Sequence, residues 1–343
     1  MSDLTIHRPR ERAQEPLGVG GVERLGGRLG LDVPRETWPT APGLKRLEAC
    51  GYGWVQLHAP PVEMLADTLN AGRHADCLRA VLSPTSLRVV LHAPDALRLG
   101  EPLHDRACEG LLDCAVAVGA RVVVLHAGCF PLADGPAADR VEDRRLAEER
   151  SLRRLAARAE RAGVVLALEN LAPAYPVPPA RRELSHSVAW VQELVRRIDS
   201  PAVGMALDLG HAHLTSQLAR AAGARPDGAA GARRGGAAGA RRGGAARAGD
   251  APLAEAIAAA LDDVVVFHVH DNLGVRRGPG TPPGVVPLRL DLHLPPGRGT
   301  LPWRALGPLL RAHDAPLLLE IAASHRPDPL RLATVSAELL TRS

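Results

Sequence analysis

The sequence predicts a (β/α)8 barrel, and three observations carry that reading. Short apolar runs alternate with longer amphipathic stretches, there are eight such runs, and each is apolar almost throughout. Strict strand–helix alternation implies a parallel sheet. Strands without an alternating polar face belong to a sheet covered on both sides. Eight units close such a sheet on itself. An open doubly wound sheet would carry a glycine-rich phosphate loop after its first strand, and "GLDVPRETWP" has none.

The first strand is read at 27–33 (GRLGLDV), followed by a helix at 41–51 whose apolar residues recur at i, i+3 and i+4 until Gly51. Strands at 53–58 (GWVQLH) and 87–93 (LRVVLHA) come next, then a helix over 101–119 that also stops at a glycine. A fourth strand at 120–127 (ARVVVLHA) leads into an Arg- and Glu-rich amphipathic helix over 142–162. Strand 163–170 (GVVLALEN) precedes a helix at 183–199, and strand 202–208 (AVGMALD) follows it. A helix at 251–262, strand 263–271 (DVVVFHVHD), a helix at 302–313, strand 315–321 (APLLLEI) and a helix at 328–341 complete the eight units.

A chain of 343 residues accommodates this as a single domain over 25–343, preceded by a flexible polar tail over 1–24. Hydrophobic residues make up 46% but aromatics only 2%, so the core is built from Leu, Val and Ala. No run of 18 apolar residues exists, which argues against a transmembrane helix. The N-terminus has no apolar signal core, and five cysteines form neither a C-x-x-C nor an even framework, so a reducing cytoplasm is expected.

Between the sixth and seventh strands, 219–250 reads as a disordered Ala/Gly/Arg-rich insert. It contains the octapeptide GARRGGAA twice in succession, at 231–238 and 239–246. The net charge of +4 belongs to this insert: residues 222–250 hold six Arg and two Asp, leaving 36 basic and 36 acidic groups elsewhere. A neutral body argues against a nucleic-acid partner. The Arg-rich insert is the one feature that speaks for an anionic one.

Polar residues collect at one end of the apolar strands. The second, third and fourth strands end in His58, His92 and His126; the fifth ends in Glu169 and the sixth in Asp208, followed by His211 and His213. The seventh ends in His268, His270 and Asp271, and the eighth in Glu320. In a parallel barrel these ends form a single rim. Asp208 and His211, three apart on a turn, can face one cavity; Asp291 and His293, two apart in an extended stretch, point to one side. Taken singly, each is explained by a hydrogen bond or a helix cap. Taken together, carboxylates and imidazoles on so many strand ends are costly to bury unless a cation neutralises them. The N/O donor set suits zinc, manganese or cobalt better than an iron–sulfur cluster or magnesium alone. His7, His74, His104, His186, His313 and His325 fall away from the rim and read as solvated or structural.

The motifs VVLHAP, VVVLHAG, LALENL, MALDLGHAH, FHVHDN, DLHLPPGRGTLPW and LLLEI, in this order on successive strands, resemble the xylose-isomerase-like TIM barrels. That family includes the sugar phosphate isomerases/epimerases and endonuclease IV. The resemblance spans about residues 27–325, apart from the insert. It implies that His92, His126 and Glu169 surround one divalent metal, that Glu169 bridges to a second held by Asp208, His268 and Glu320, and that His211, Asp291 and His293 hold a third. Zinc, manganese or cobalt, one to three ions per chain, is the implied cofactor. Two departures separate the chain from endonuclease IV: "GLDVPRE" stands where that enzyme has a GxHxS-type motif, and "LHAPDALRLG" brings no aromatic wedge for DNA.

The expected activity is a metal-dependent isomerase or epimerase of a sugar or sugar phosphate. Glu169 and Glu320 would act as the catalytic carboxylates, with His211 on a substrate hydroxyl. His58, His270 and Arg298 are candidate substrate contacts. The alternative is a multi-zinc phosphoester or phosphodiester hydrolase; a non-catalytic binding barrel would leave the ionisable cluster unexplained. The partner is then a small carbohydrate or phosphoester, with no membrane, and the helix at 103–118 is a candidate homo-oligomer surface.

Overall fold

The computed structural model describes residues 20–23, 25–128, 136–173, 184–221, 251–274 and 291–342. Residues 222–250, the bulk of the expected insert, and 1–19 of the expected tail lie outside the described residues.

The elements run α1 (Gly20–Glu23), β1 (Leu29–Asp32), α2 (Ala41–Ala49), β2 (Trp54–His58), α3 (Val62–Leu65), α4 (Thr68–Leu82), β3 (Arg88–His92) and α5 (Pro102–Val118). They continue with β4 (Val122–His126), α6 (Pro136–Ala162), β5 (Val165–Glu169), α7 (Val188–Ile198), β6 (Val203–Asp208), α8 (Leu209–Ala221) and α9 (Ala251–Ala260). The last are β7 (Val264–Val269), α10 (Trp303–Arg311), β8 (Leu317–Leu319) and α11 (Pro329–Arg342). The eight strands pair in sequence order, all parallel, and β1 pairs β8 to close the barrel. The (β/α)8 expectation holds.

Two local departures have physical causes. The connection between β2 and β3 holds α3 and α4, which the periodicity did not single out. Four buried residues of α4, Ala71, Ala75, Leu78 and Leu82, face the core at helical spacing, but two are alanines and the rest of the helix is largely polar, so the apolar stripe is faint. Its start is set by Asp67, whose carboxylate accepts from the Asn70 N–H at 2.9 Å. Val22 of α1, within the stretch read as tail, is buried in the outer core together with Leu25.

The core has two compartments. The larger lies between the sheet and the helices. The smaller is the barrel interior, where Val90, Val122, Val124, Ala167, Ala206, Val266 and Leu318 pack with Trp54. Each such aliphatic side chain contributes about 1.5–3 kcal/mol by burial, less for alanine. The Arg88 guanidinium lies 4.2 Å from the Trp54 ring centroid, on a strand start at the floor. Gly30 is needed there because a Cβ would sit 2.3 Å from Leu318 Cδ2 and 2.8 Å from Trp54 Cβ. This apolar plug leaves only the opposite end of the lumen for polar groups.

Candidate metal centre

The strand pleat sends residues i, i+2 and i+4 to one face. Along β4 the lumen therefore receives Val122, Val124 and His126; along β5, Val165, Ala167 and Glu169; along β6, Gly204, Ala206 and Asp208. β2 contributes Trp54, Gln56 and His58 in the same way, and β7 contributes Val266 and His268. The register aligns these steps: His58 pairs with His92, His126 with Glu169, and Asp208 with His268. An apolar floor thus gives way to a polar rim on consecutive strands.

The rim residues gather into three groups, the donor atoms of each lying within 4.8 Å of one another: Glu169, Asp208, His268 and Glu320; His92, Asp95 and His126; and His211, His270, Asp291 and His293. Glu169 joins the first two, since its Oε2 is 3.2 Å from both His92 Nε2 and His126 Nε2, while its Oε1 is 3.1 Å from His268 Nδ1. Asp291 Oδ2 joins the third, 3.1 Å from His211 Nε2 and 2.9 Å from His293 Nε2. Glu320 Oε2 lies between groups, 3.5 Å from His268 Nδ1 and 3.8 Å from His293 Nδ1.

The imidazoles are oriented from behind. His92, His211 and His293 place Nδ1 at 2.7, 2.9 and 2.8 Å from the carbonyl oxygens of Ala93, Asn170 and Glu320. A carbonyl only accepts, so in each neutral ring Nδ1 carries the proton and Nε2 presents its lone pair to the group. Asn170 also clamps Asp208, donating Nδ2–H to its carbonyl and accepting its N–H, both at 2.9 Å. His211 N–H donates to Asp208 Oδ1 at 2.7 Å, holding the first turn of α8 against the carboxylate.

These lone pairs face carboxylate oxygens, which also only accept. Two acceptors at about 3 Å need a cation between them, a proton or a metal ion. The shifted protonation equilibria express that need. Burial pushes the Glu169 carboxyl up, but His268, His126 and His92 outweigh it and hold Glu169 well below the usual carboxylate range. Burial opposes charge on His268, yet Glu320 and Glu169 raise it to about 10. His293 is raised to about 10 against its burial by the Asp291 carboxylate. Oxygen and nitrogen donors without thiolate, converging and already oriented, fit a divalent cation at each group.

The nine residues expected as metal ligands all lie in these groups, which gain two members, Asp95 and His270. His270 is fully buried, its ring stacked 3.9 Å from that of His293 and its Nε2 3.0 Å from both Asp208 oxygens. His58 stands beside the centre in contact with Asp32 (2.8 Å), and Arg298 is exposed at the end of the 295–298 turn, in none of the three groups. His213 instead bonds Thr300 Oγ1 at 3.0 Å. Asp271 ties down the segment carrying Asp291 and His293: its oxygens accept the N–H of Gly297 and Leu301 and the indole N–H of Trp303. Sequence reasoning passed over Asp32, Gln56, Asp95 and Asn170. The first two sit at inward positions of β1 and β2, and for Gln56 its place two residues before the strand-end His58 was the available signal.

A family model described as "Xylose isomerase-like TIM barrel" matches residues 44–342. No curated protein matches the sequence significantly. Among solved structures, the chain is similar to a 3-keto-D-glucoside 4-epimerase from E. coli, at 17% identity and a TM-score of 0.57, over 92% of this chain and 99% of that one. It is also similar to a D-allulose 3-epimerase from Methylomonas sp., at 15% identity and a TM-score of 0.59, over 92% and 96% of the two chains. An L-ribulose 3-epimerase gives 14% identity and a TM-score of 0.54, over 92% and 95%. At such identities the likeness is one of fold. No helix among the described residues is long and apolar enough to cross a membrane.

Proposed function

Because the chain belongs to the xylose isomerase-like TIM barrel family, we propose that it is a divalent-metal-dependent isomerase or epimerase of a sugar or sugar phosphate. The observation that carries this reading is the group of Glu169, Asp208, His268 and Glu320, three carboxylates and one imidazole at the mouth of the barrel. A divalent cation held by these residues would supply Lewis-acid polarisation of the substrate carbonyl and so acidify the neighbouring C–H.

The chain's own residues do the rest. Glu320 reaches in from the end of β8, its Oε1 fixed by the Gln56 amide at 3.0 Å, and its Oε2 returns a proton to one face of the substrate carbon. Glu169, held ionised by the surrounding imidazoles, stands across on β5 and removes the proton at Oε1 from the opposite face. His211 Nε2 orients a substrate hydroxyl. The buried walls around Asp208 and His268 keep bulk water from the carbanion-like carbon.

The test is solvent exchange in deuterium oxide with a panel of ketoses and sugar phosphates. The expected result is deuterium at the carbon beside the carbonyl with no phosphate released, and loss of that exchange in Glu169→Gln. The three filled ligand groups favour a second reading, a multi-zinc phosphoester hydrolase. Phosphate release without exchange, at three zinc ions per chain, would replace the first reading with the second.

A further inference from the structure

Beside the metal groups opens a cleft of about 630 Å3. Its walls come from the segments after β1, β2 and β3, and Arg35, Trp38, His58, Pro60, Met64 and Asp95 define it. It is continuous with the centre. The His58 ring is 5.2 Å from that of His92, and Asp95 Oδ1 is 3.9 Å from His126 Nδ1. At its outer end Trp38 is half exposed, and its ring stands edge-on to His74 at 5.4 Å and 83°.

Size and chemistry narrow the occupant. Even at the ~30 Å3 that a water occupies in the liquid, the roughly twelve non-hydrogen atoms of a hexose fill little more than half of such a volume. A single reacting sugar, whose oxygens belong at the metal groups, leaves the cleft open. The outer part presents the Trp38 indole and prolines, while the inner part presents His58, Asp95 and Arg35. A pyranose has the matching character, with a C–H face for an aromatic ring and hydroxyls for planar polar side chains. An acyl chain would leave the inner polar groups unmatched. A phosphate would need a free cation, and the Arg35 guanidinium is already forked onto Asp95 at 2.5 and 2.7 Å.

We infer that the substrate is a glycoside: its reacting sugar lies at the metal groups, and a second, neutral sugar ring in glycosidic linkage lies on Trp38 in the cleft. This rests on the isomerase or epimerase reading and narrows its substrate class.

The test titrates the full-length, metal-loaded protein with cellobiose and with glucose by calorimetry. Cellobiose is expected to bind at least about tenfold more tightly. Trp38→Ala should erase that advantage and Trp38→Phe should keep most of it. Equal binding of the two sugars, no detectable binding of cellobiose, or an advantage that survives Trp38→Ala overturns the inference. The deuterium experiment separates this from the parent reading. Exchange into free ketoses without a cellobiose advantage removes the glycoside and leaves the isomerase. A Trp38-dependent advantage with no exchange into any sugar keeps the carbohydrate cleft but removes the isomerase, and with it the glycoside as substrate.

Discussion

Gln56 Oε1 lies 2.9 Å from His268 Nε2, and this contact decides which nitrogen of the histidine faces the carboxylates. The other end of the amide, Nε2, is 3.2 Å from Asp32 Oδ1 and 3.0 Å from Glu320 Oε1. Carboxylates accept, so the NH2 must point to them and the carbonyl to His268. His268 Nε2 then carries the proton, and Nδ1 is the donor atom turned to Glu169 and Glu320. Gln56→Leu keeps the volume but leaves that N–H unpaired in a buried site. A fall of about 10–100-fold in divalent-ion affinity is expected, measured by calorimetric titration against a folded variant. Unchanged affinity would show that Gln56 does not set the tautomer.

Ion binding should release protons. With Glu320 and Glu169 outweighing its burial, His268 titrates at about 10 in the metal-free chain and is an imidazolium at neutral pH. It must lose that proton to ligate. Affinity at its group should therefore rise about tenfold per pH unit between pH 7 and 9. Calorimetry in buffers of different ionisation enthalpy should find about one proton released per ion.

Away from the centre, Glu148 on α6 is buried and accepts the Gly128 N–H at 3.0 Å. Burial pushes its carboxyl up to about 7. Between the unfolded value near 4.5 and the folded value near 7, the native state binds more protons, so this group's contribution falls as pH rises through that window. Glu148→Gln keeps an acceptor and removes the charge. The variant should gain up to about 3 kcal/mol over the wild type at pH 8 and little at pH 4, read from urea unfolding at both values.

Gly210 has its own constraint. A Cβ there would sit 2.1 Å from His270 Cε1, and that ring cannot retreat because it stacks on His293 and bonds Asp208. Gly210→Ala should cost about 1–3 kcal/mol and lower ion occupancy at the group of His211, Asp291 and His293. A thermal melt paired with elemental analysis checks both.

The barrel and its rim were legible because both follow from periodicity. Apolar strands ending in His92, His126, Glu169, Asp208 and His268 carry their meaning in sequence order. The supporting layer was less so. Gln56 reads as an ordinary polar residue within WVQLH unless the pleat is counted back two places from His58, and only the register sets it beside Asp32. His74 and His104 read as remote from the rim, yet both line the cleft, since sequence does not tell how near a helix leans to a neighbouring loop. His268 reads as a ligand and His270 as a substrate contact; the path of the chain beyond β7 instead puts His270 in a different ligand group, beside His211, Asp291 and His293.

Inward and outward alternate at every residue of a strand, so adding one residue within β5 would turn Glu169 toward the helices and take its charge out of the lumen. Length added between strands changes no such parity. This chain can therefore carry a duplicated GARRGGAA between α8 and α9 while both flanking strands keep their donors aimed. Evolution of this architecture has wide room for insertion in its connections and almost none inside its staves.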